Sequence, residues 1–262
     1  MQAAPVPYCG APVAPTALLG AWNLDPFLLA ALLGLLVAYA AGVRRADPGR
    51  NRRAAFYLGW TITCLALISP LCRLSVSLFS ARVGQHMILS LGAAPLVAYG
   101  RPWRVYEALL RLRLPPAPPR PLLASALFAV AIWYWHAPLP YDLTFASDVI
   151  YWCMHLSVFG AALLLWAGLQ DGLERTPAAT IVAGILSSGQ MTLLGALITL
   201  APRPLYAPHA LTTAAWGLTQ MDDQQVGGLI MWAPGGLAFA GIAMLGLVRV
   251  LRRADLADAA LA

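Results

Sequence analysis

Seven stretches of this chain carry no charged residue and are long enough, at roughly 17 to 25 residues each, to cross a bilayer as helices. They run over 26–43, 54–72, 83–100, 121–141, 149–170, 176–202 and 224–248. The expected fold is therefore all-α, a polytopic membrane bundle of seven transmembrane helices. Composition agrees: 60% of the 262 residues are hydrophobic and 11% charged, where a soluble domain usually has about a quarter charged. The expected organisation is an external tail over 1–25, the seven-span domain over 26–248 and a cytoplasmic tail over 249–262.

The net charge of +6 would point to nucleic acid in a soluble protein, but here the basic residues sort by loop. The chain has no lysine, and 14 of its 17 arginines fall on one side of the predicted spans. They lie at 44–53, 101–120, 175 and 249–253, leaving Arg73, Arg82 and Arg203 opposite. Basic loops stay in the cytoplasm, so the N-terminus is expected outside and the C-terminus inside. Membrane lipid, not nucleic acid, is the expected surface partner. Pro5, Pro7, Pro12 and Pro15 break helix in the tail, which lacks the basic and apolar segments of a signal peptide. An interfacial turn is expected near Leu18–Trp22. The connector at 101–120 is arginine-rich and ends in Pro115, Pro116, Pro118, Pro119 and Pro121, and reads as a stiff lipid-facing link. The acidic tail at Asp255 and Asp258 reads as solvated.

Four cysteines, with no CxxC pair, give no zinc or thioredoxin-like framework. Cys9 and Cys72 are both placed outside, where a disulfide is open to them, although unpaired cysteines are the preferred expectation. Cys64 reads as a small buried hydrophobe.

All four histidines, His86, His136, His155 and His209, fall at the outer end of a span or in an outer loop. Around them stand Arg82, Gln85 and Met87 on span three, Trp133 and Trp135 on span four, and Asp148, Trp152 and Met154 on span five. Gln190 and Met191 lie on span six; Met221, Asp222, Asp223, Gln224 and Gln225 open span seven. Arg82 and His86 share a face at i, i+4. Asp148, Trp152 and His155 form a second stripe, and Asp223, Gly227, Ile230 and Met231 a third. Gly227 and Gly228 admit a close neighbouring backbone, and Pro234 is expected to kink span seven. Taken singly, each residue has a plain structural use: a helix-clamping histidine, an interfacial tryptophan, a packing methionine. His86 and His155 together point to function, because ionisable groups in spans are costly.

Imidazole, thioether and carboxylate at an outer rim suit copper, with Cu(I) favoured by sulfur. The candidate ligands are His86, His136, His155, Met87, Met154 and Asp223. Two facing imidazoles could instead hold haem iron. Arg82, Asp148 and Asp222 are candidates for an ion pair or partner contact, with an Arg82 pair to Asp148 or Asp223 favoured. No HExxH, no phosphate-cradling glycine loop and no serine with a base is present, so enzymatic chemistry is not expected.

The segment Phe79-Ser80-Ala81-Arg82-Val83-Gly84-Gln85-His86-Met87, the Trp135-His136-Ala137-Pro138 turn, Trp152-Cys153-Met154-His155 and the run from Asp223 to Gly235 occur in a characteristic order. Together they resemble the CtaG family of bacterial cytochrome c oxidase assembly factors, associated with caa-type oxidases. The resemblance extends from Trp22 to the end of span seven, and the DQQxGGLIMWxPG run is its most specific part. It implies a seven-span protein of the bacterial cytoplasmic (inner) membrane that matures a haem–copper oxidase, with copper delivery as the implied role. Oxidase subunits and a periplasmic copper chaperone are the implied partners. His86, His136, His155 and Asp223 carry over as characteristic polar positions. One departure matters: where the family has a histidine one turn before His86, this chain has Arg82. The alternatives are a haem protein passing electrons from quinol to a periplasmic acceptor, and a proton-coupled transporter using Asp148, Asp223 and the histidines.

Overall fold

A computed structural model describes residues 6–112 and 120–259, and the side chains among them up to 255. The expectations for Pro5, for Arg113 and the prolines at 115–119, and for the Asp258 side chain lie outside the described residues. Among those residues the chain is helical throughout, with no strand.

A short 3-10 turn at Pro15–Gly20 precedes α1 (Pro26–Val43). Asp25 starts α1 by accepting from Phe27 N and Leu28 N, with Pro26 at the position where a missing N–H is harmless. α2 (Arg50–Ile68) stops at Ser69-Pro70, and α3 (Leu71–Ser77) leaves at 48°. After Leu78 come α4 (Phe79–Met87), a π-helical segment (Ile88–Ala93), α5 (Ala94–Tyr99) and α6 (Pro102–Leu110). α7 (Pro121–His136) and α8 (Pro138–Ala146) meet at Pro138 with a 71° bend. Then follow α9 (Asp148–Arg175), α10 (Pro177–Thr199), two short 3-10 turns and α11 (Gln220–Ala259), which runs through Pro234 unbroken.

Four helices, α1, α9, α10 and α11, are each long and apolar enough to cross a membrane, and the bent pairs α2–α3 and α7–α8 raise the number to six. Large apolar side chains such as Leu33, Val37, Leu164, Ile185 and Leu237 stand exposed on their outer faces, a surface that suits lipid and not water. The expected crossing at 121–141 is divided, because the residue before a proline is driven out of helical conformation. The crossing expected at 83–100 is also subdivided. Pro95 has no N–H, and its ring would strike the carbonyl of Leu91 four residues earlier in a regular helix. The wider π turn precedes it, with both joints, Ile88 and Ala94, in right-handed helical conformation. Carbonyls of this stretch also accept from α9: Trp166 Nε1 donates to Ser90 O at 2.7 Å and Gln170 Nε2 to Pro95 O at 2.8 Å.

α11 lies against α10 and α4. A Cβ on Gly228 would stand 2.7 Å from Gly195 O, and one on Gly227 would collide with the Phe79 ring, so both glycines are needed for the close approach. The first helix pair has its own core, where Tyr39 stacks on Phe56 at 3.5 Å and donates through its hydroxyl to Gly100 O. The N-terminal tail is no loose extension. Cys9 is disulfide-bonded to Cys72, against the unpaired expectation, Val13 N donates to Ser77 Oγ, and the Tyr8 hydroxyl donates to Asp25. Cys64 is only half-buried and Cys153 is exposed.

Candidate functional site

Three helices each bring one histidine into a group centred on His86. His86 comes from the last turn of α4, His136 from the C-terminal residue of α7 and His155 from the third turn of α9. All three are buried. The His86 ring lies edge-on to the His155 ring at 5.3 Å between centroids and to the His136 ring at 5.9 Å. His86 is thus the centre of the group.

The two outer rings are clamped alike. His136 Nδ1 bonds to Ile132 O at 2.8 Å, and His155 Nδ1 to Tyr151 O at 3.2 Å, each to the carbonyl one turn before. A carbonyl can only accept, so Nδ1 carries the proton and Nε2 is left as the lone pair. His155 Nε2 and both ring nitrogens of His86 are buried with no hydrogen-bond partner. Each unpaired buried polar atom costs about 1–3 kcal/mol. A neutral imidazole keeps one lone pair, so these three atoms leave one free lone pair on each of the two neighbouring rings and one unpaired N–H on His86. Among the described residues no three His, Cys, Asp or Glu groups close on one point as a finished coordination shell. The rings are neighbours, and of the right chemistry, without forming a complete cage.

The other expected ligands are placed elsewhere or are engaged. Asp223 accepts from Phe79 N at 2.6 Å, Ser80 N at 3.1 Å and the Ser80 hydroxyl. Its carboxylate thereby satisfies the free N–H groups at the start of α4, about 10 Å along the helix from His86 at 1.5 Å per residue. Met154 Sδ lies 3.8 Å from an Arg82 guanidinium nitrogen. Met87 is buried in the bundle core.

The expected Arg82 ion pair is not formed. Among the described residues, the ion pairs are Arg53–Asp47, Arg101–Asp171 and Arg249–Glu174. Arg82, only 2% exposed, is held by neutral groups. Its guanidinium carbon lies over Phe145 at 4.5 Å, Tyr141 at 5.0 Å and Tyr151 at 5.7 Å, and one nitrogen donates to Thr144 Oγ1 at 2.8 Å. The aromatic faces supply the partial negative charge that a carboxylate would otherwise provide. Sequence reasoning missed this cage, because Tyr141 read as the end of a span and Thr144 and Phe145 as part of the loop after it, whereas Pro138 turns all three into α8. Asp148 is exposed in the first turn of α9, where the helix dipole favours a carboxylate. Asp222 closes a capping box with Thr219 at the start of α11.

His209 stands apart from the other three. Its Nε2 meets the Tyr141 hydroxyl at 2.6 Å, and its ring packs edge-on to Phe145 at 5.4 Å. Gln224 pins the same loop between α10 and α11, accepting from Leu205 N and donating to Ile198 O.

Fold and site together define a membrane-type helical bundle with a buried, unpartnered imidazole cluster beside an aromatic-caged arginine. The family model for the cytochrome c oxidase caa3 assembly factor matches residues 37–253, and the chain belongs to that family. No curated protein and no solved structure matches the chain.

Two measurements check this geometry. Asp223→Ala leaves the α4 N–H groups unpaired in the protein interior, and is expected to cost about 2 kcal/mol, read as a lower thermal midpoint in detergent. Burial, aided by the Arg82 charge, pulls the pKa of His209 down to about 3. A depressed histidine pKa leaves stability whole above its ordinary value of 6.5 and drains it as pH falls from there towards 3. His209→Gln is therefore expected to flatten the thermal midpoint across that window, and an unchanged pH profile would contradict the assignment.

Proposed function

We propose that this oxidase assembly factor carries copper, as cargo, on His86, His136 and His155, and hands it to an oxidase subunit at the outer face of the bacterial cytoplasmic membrane. The observation that supports this most directly is the set of three unpartnered nitrogens on His86 and His155 in a buried cluster. Copper is well served by imidazole, and the Nδ1–carbonyl clamps are the outer contacts that orient metal-binding histidines. The role is non-enzymatic: the chain supplies ligands and a docking body, and the partner retains the metal.

The seven-span arrangement, N-terminus outside, is part of this reading. It takes α4, the π segment and α5 as one crossing of residues 79–99, helical at both joints. The distribution of 14 arginines against three then puts the imidazole cluster on the far side from the cytoplasm. The Cys9–Cys72 disulfide favours the same side, since such bonds persist in oxidising compartments. The partners in this reading are oxidase subunits and a periplasmic copper chaperone.

A haem carrier is less well supported. Bis-imidazole iron needs a flat macrocycle between the two rings, whereas the His86 ring meets both neighbours edge to face at under 6 Å.

The test is genetic and biochemical together. Deleting the gene is expected to lower the copper content of assembled oxidase with its transcripts unchanged. The wild-type gene should restore it and His86→Ala should not, although the variant protein accumulates. Normal oxidase copper in the deletion strain, or full rescue by His86→Ala, would rule the reading out.

A further inference from the structure

The arginine that stands one turn before His86 is buried, and among the described residues no carboxylate pairs with it. Its compensation comes from three π faces, the Thr144 hydroxyl and the Met154 sulfur, and Nε has no partner at all. The charge is close to the imidazoles. Arg82 shares a helix face with His86. The Tyr151 ring, 5.7 Å from the guanidinium carbon, packs at a tilt of 35° against the His155 ring, 4.2 Å between centroids, so one aromatic ring separates the cation from that imidazole. The cluster itself brings no negative charge: its donors are neutral rings, and the nearest expected carboxylate, Asp223, is committed to the start of α4.

We propose that Arg82 acts as a charge filter, making the imidazole cluster around His86 selective for a monovalent ion, Cu(I) or its stand-in Ag(I), over Zn(II) and Cu(II). The proposal rests on the copper reading above and names the charge state of its cargo. The reason is Coulombic. Repulsion from a fixed cation grows in proportion to the charge of the guest, and screening inside the bundle is weak. Sites that hold a dication usually offset it with carboxylate or thiolate, or leave water on it; here the groups packed on the cluster are neutral rings and the Arg82 cation. A monovalent ion meets half the repulsion, and two or three neutral imidazoles complete its preferred low coordination. The same repulsion weakens retention of Cu(I) to a degree, which suits an ion that is to be passed on.

Proportionality to charge gives the proposal a signature that a merely structural role for Arg82 does not share. Removing the positive charge should raise the logarithm of affinity for a dication about twice as much as for a monocation. A change that only loosens or repacks the site moves both alike.

The experiment titrates the full-length protein in detergent with Ag(I) and with Zn(II) against competing indicators, counting as site binding only what His86→Ala removes, so that Cys64 and Cys153 do not contribute. Wild-type protein is expected to bind Ag(I) and to hold Zn(II) far more weakly. Arg82→Gln is expected to gain Zn(II) affinity by about tenfold or more, with a smaller gain for Ag(I), whereas Arg82→Lys, which keeps the charge, stays with the wild type. Equal affinity of the wild-type site for the two ions would overturn the filter and leave the copper site standing, a comparison that needs no Arg82 variant to fold. Equal gains for both ions in Arg82→Gln would likewise overturn it. Ag(I) binding that His86→Ala does not diminish would remove the site and the filter together.

Discussion

The start of α4 depends on one carboxylate from the far end of the sequence. Asp223, buried at the mouth of α11, takes up the first N–H groups of α4 and the Ser80 hydroxyl. Gly227, one turn further on, leaves room for the Phe79 ring. α4 carries both Arg82 and His86, so its axial position decides where the guanidinium and the central imidazole stand. The carboxylate that reads as a candidate metal ligand in the sequence is bonded to the start of α4, the helix that carries Arg82 and His86.

From that fixture the site assembles in two layers. One is the ring of His86, His136 and His155, the outer two clamped through Nδ1 to their own helices. The other is α8, turned by Pro138 across the end of the bundle, which brings Tyr141, Thr144 and Phe145 onto Arg82. The tail closes over the same end. Cys9 is tied to Cys72, and Tyr8 stacks on Tyr151 at 4.8 Å. Tyr151 therefore touches the tail, the cage and His155 at once, and its backbone carbonyl also holds the His155 ring.

The helical class, most of the long apolar helices and the grouping of three histidines were legible in the sequence, because charge-free length marks the helices directly and puts these histidines at helix ends. The roles of individual polar residues were not. A carboxylate one turn into a helix reads the same whether it binds a metal or caps a neighbouring helix; only the position of Phe79 decides for Asp223. The π turn at Ile88–Ala93 answers a clash between Pro95 and the Leu91 carbonyl that no hydropathy window registers. His209 was expected at the same surface as the other histidines but does not join their group, since Tyr141 holds its Nε2. The cage of Arg82 was hidden because a cation in an apolar span calls for an acid, and the sequence offers acids nearby in Asp148 and Asp223, whereas the structure answers with aromatic faces.

The central claim is that neutral imidazole nitrogens, and not sulfur or carboxylate, hold the metal. X-ray absorption at the copper edge of the full-length protein loaded with Cu(I) tests it most directly. The account predicts two or three imidazole nitrogens as the near scatterers, at about 2.0 Å by analogy with nitrogen-ligated zinc, and their loss in His86→Ala. A first shell of sulfur, or a spectrum that His86→Ala leaves unchanged, would contradict it.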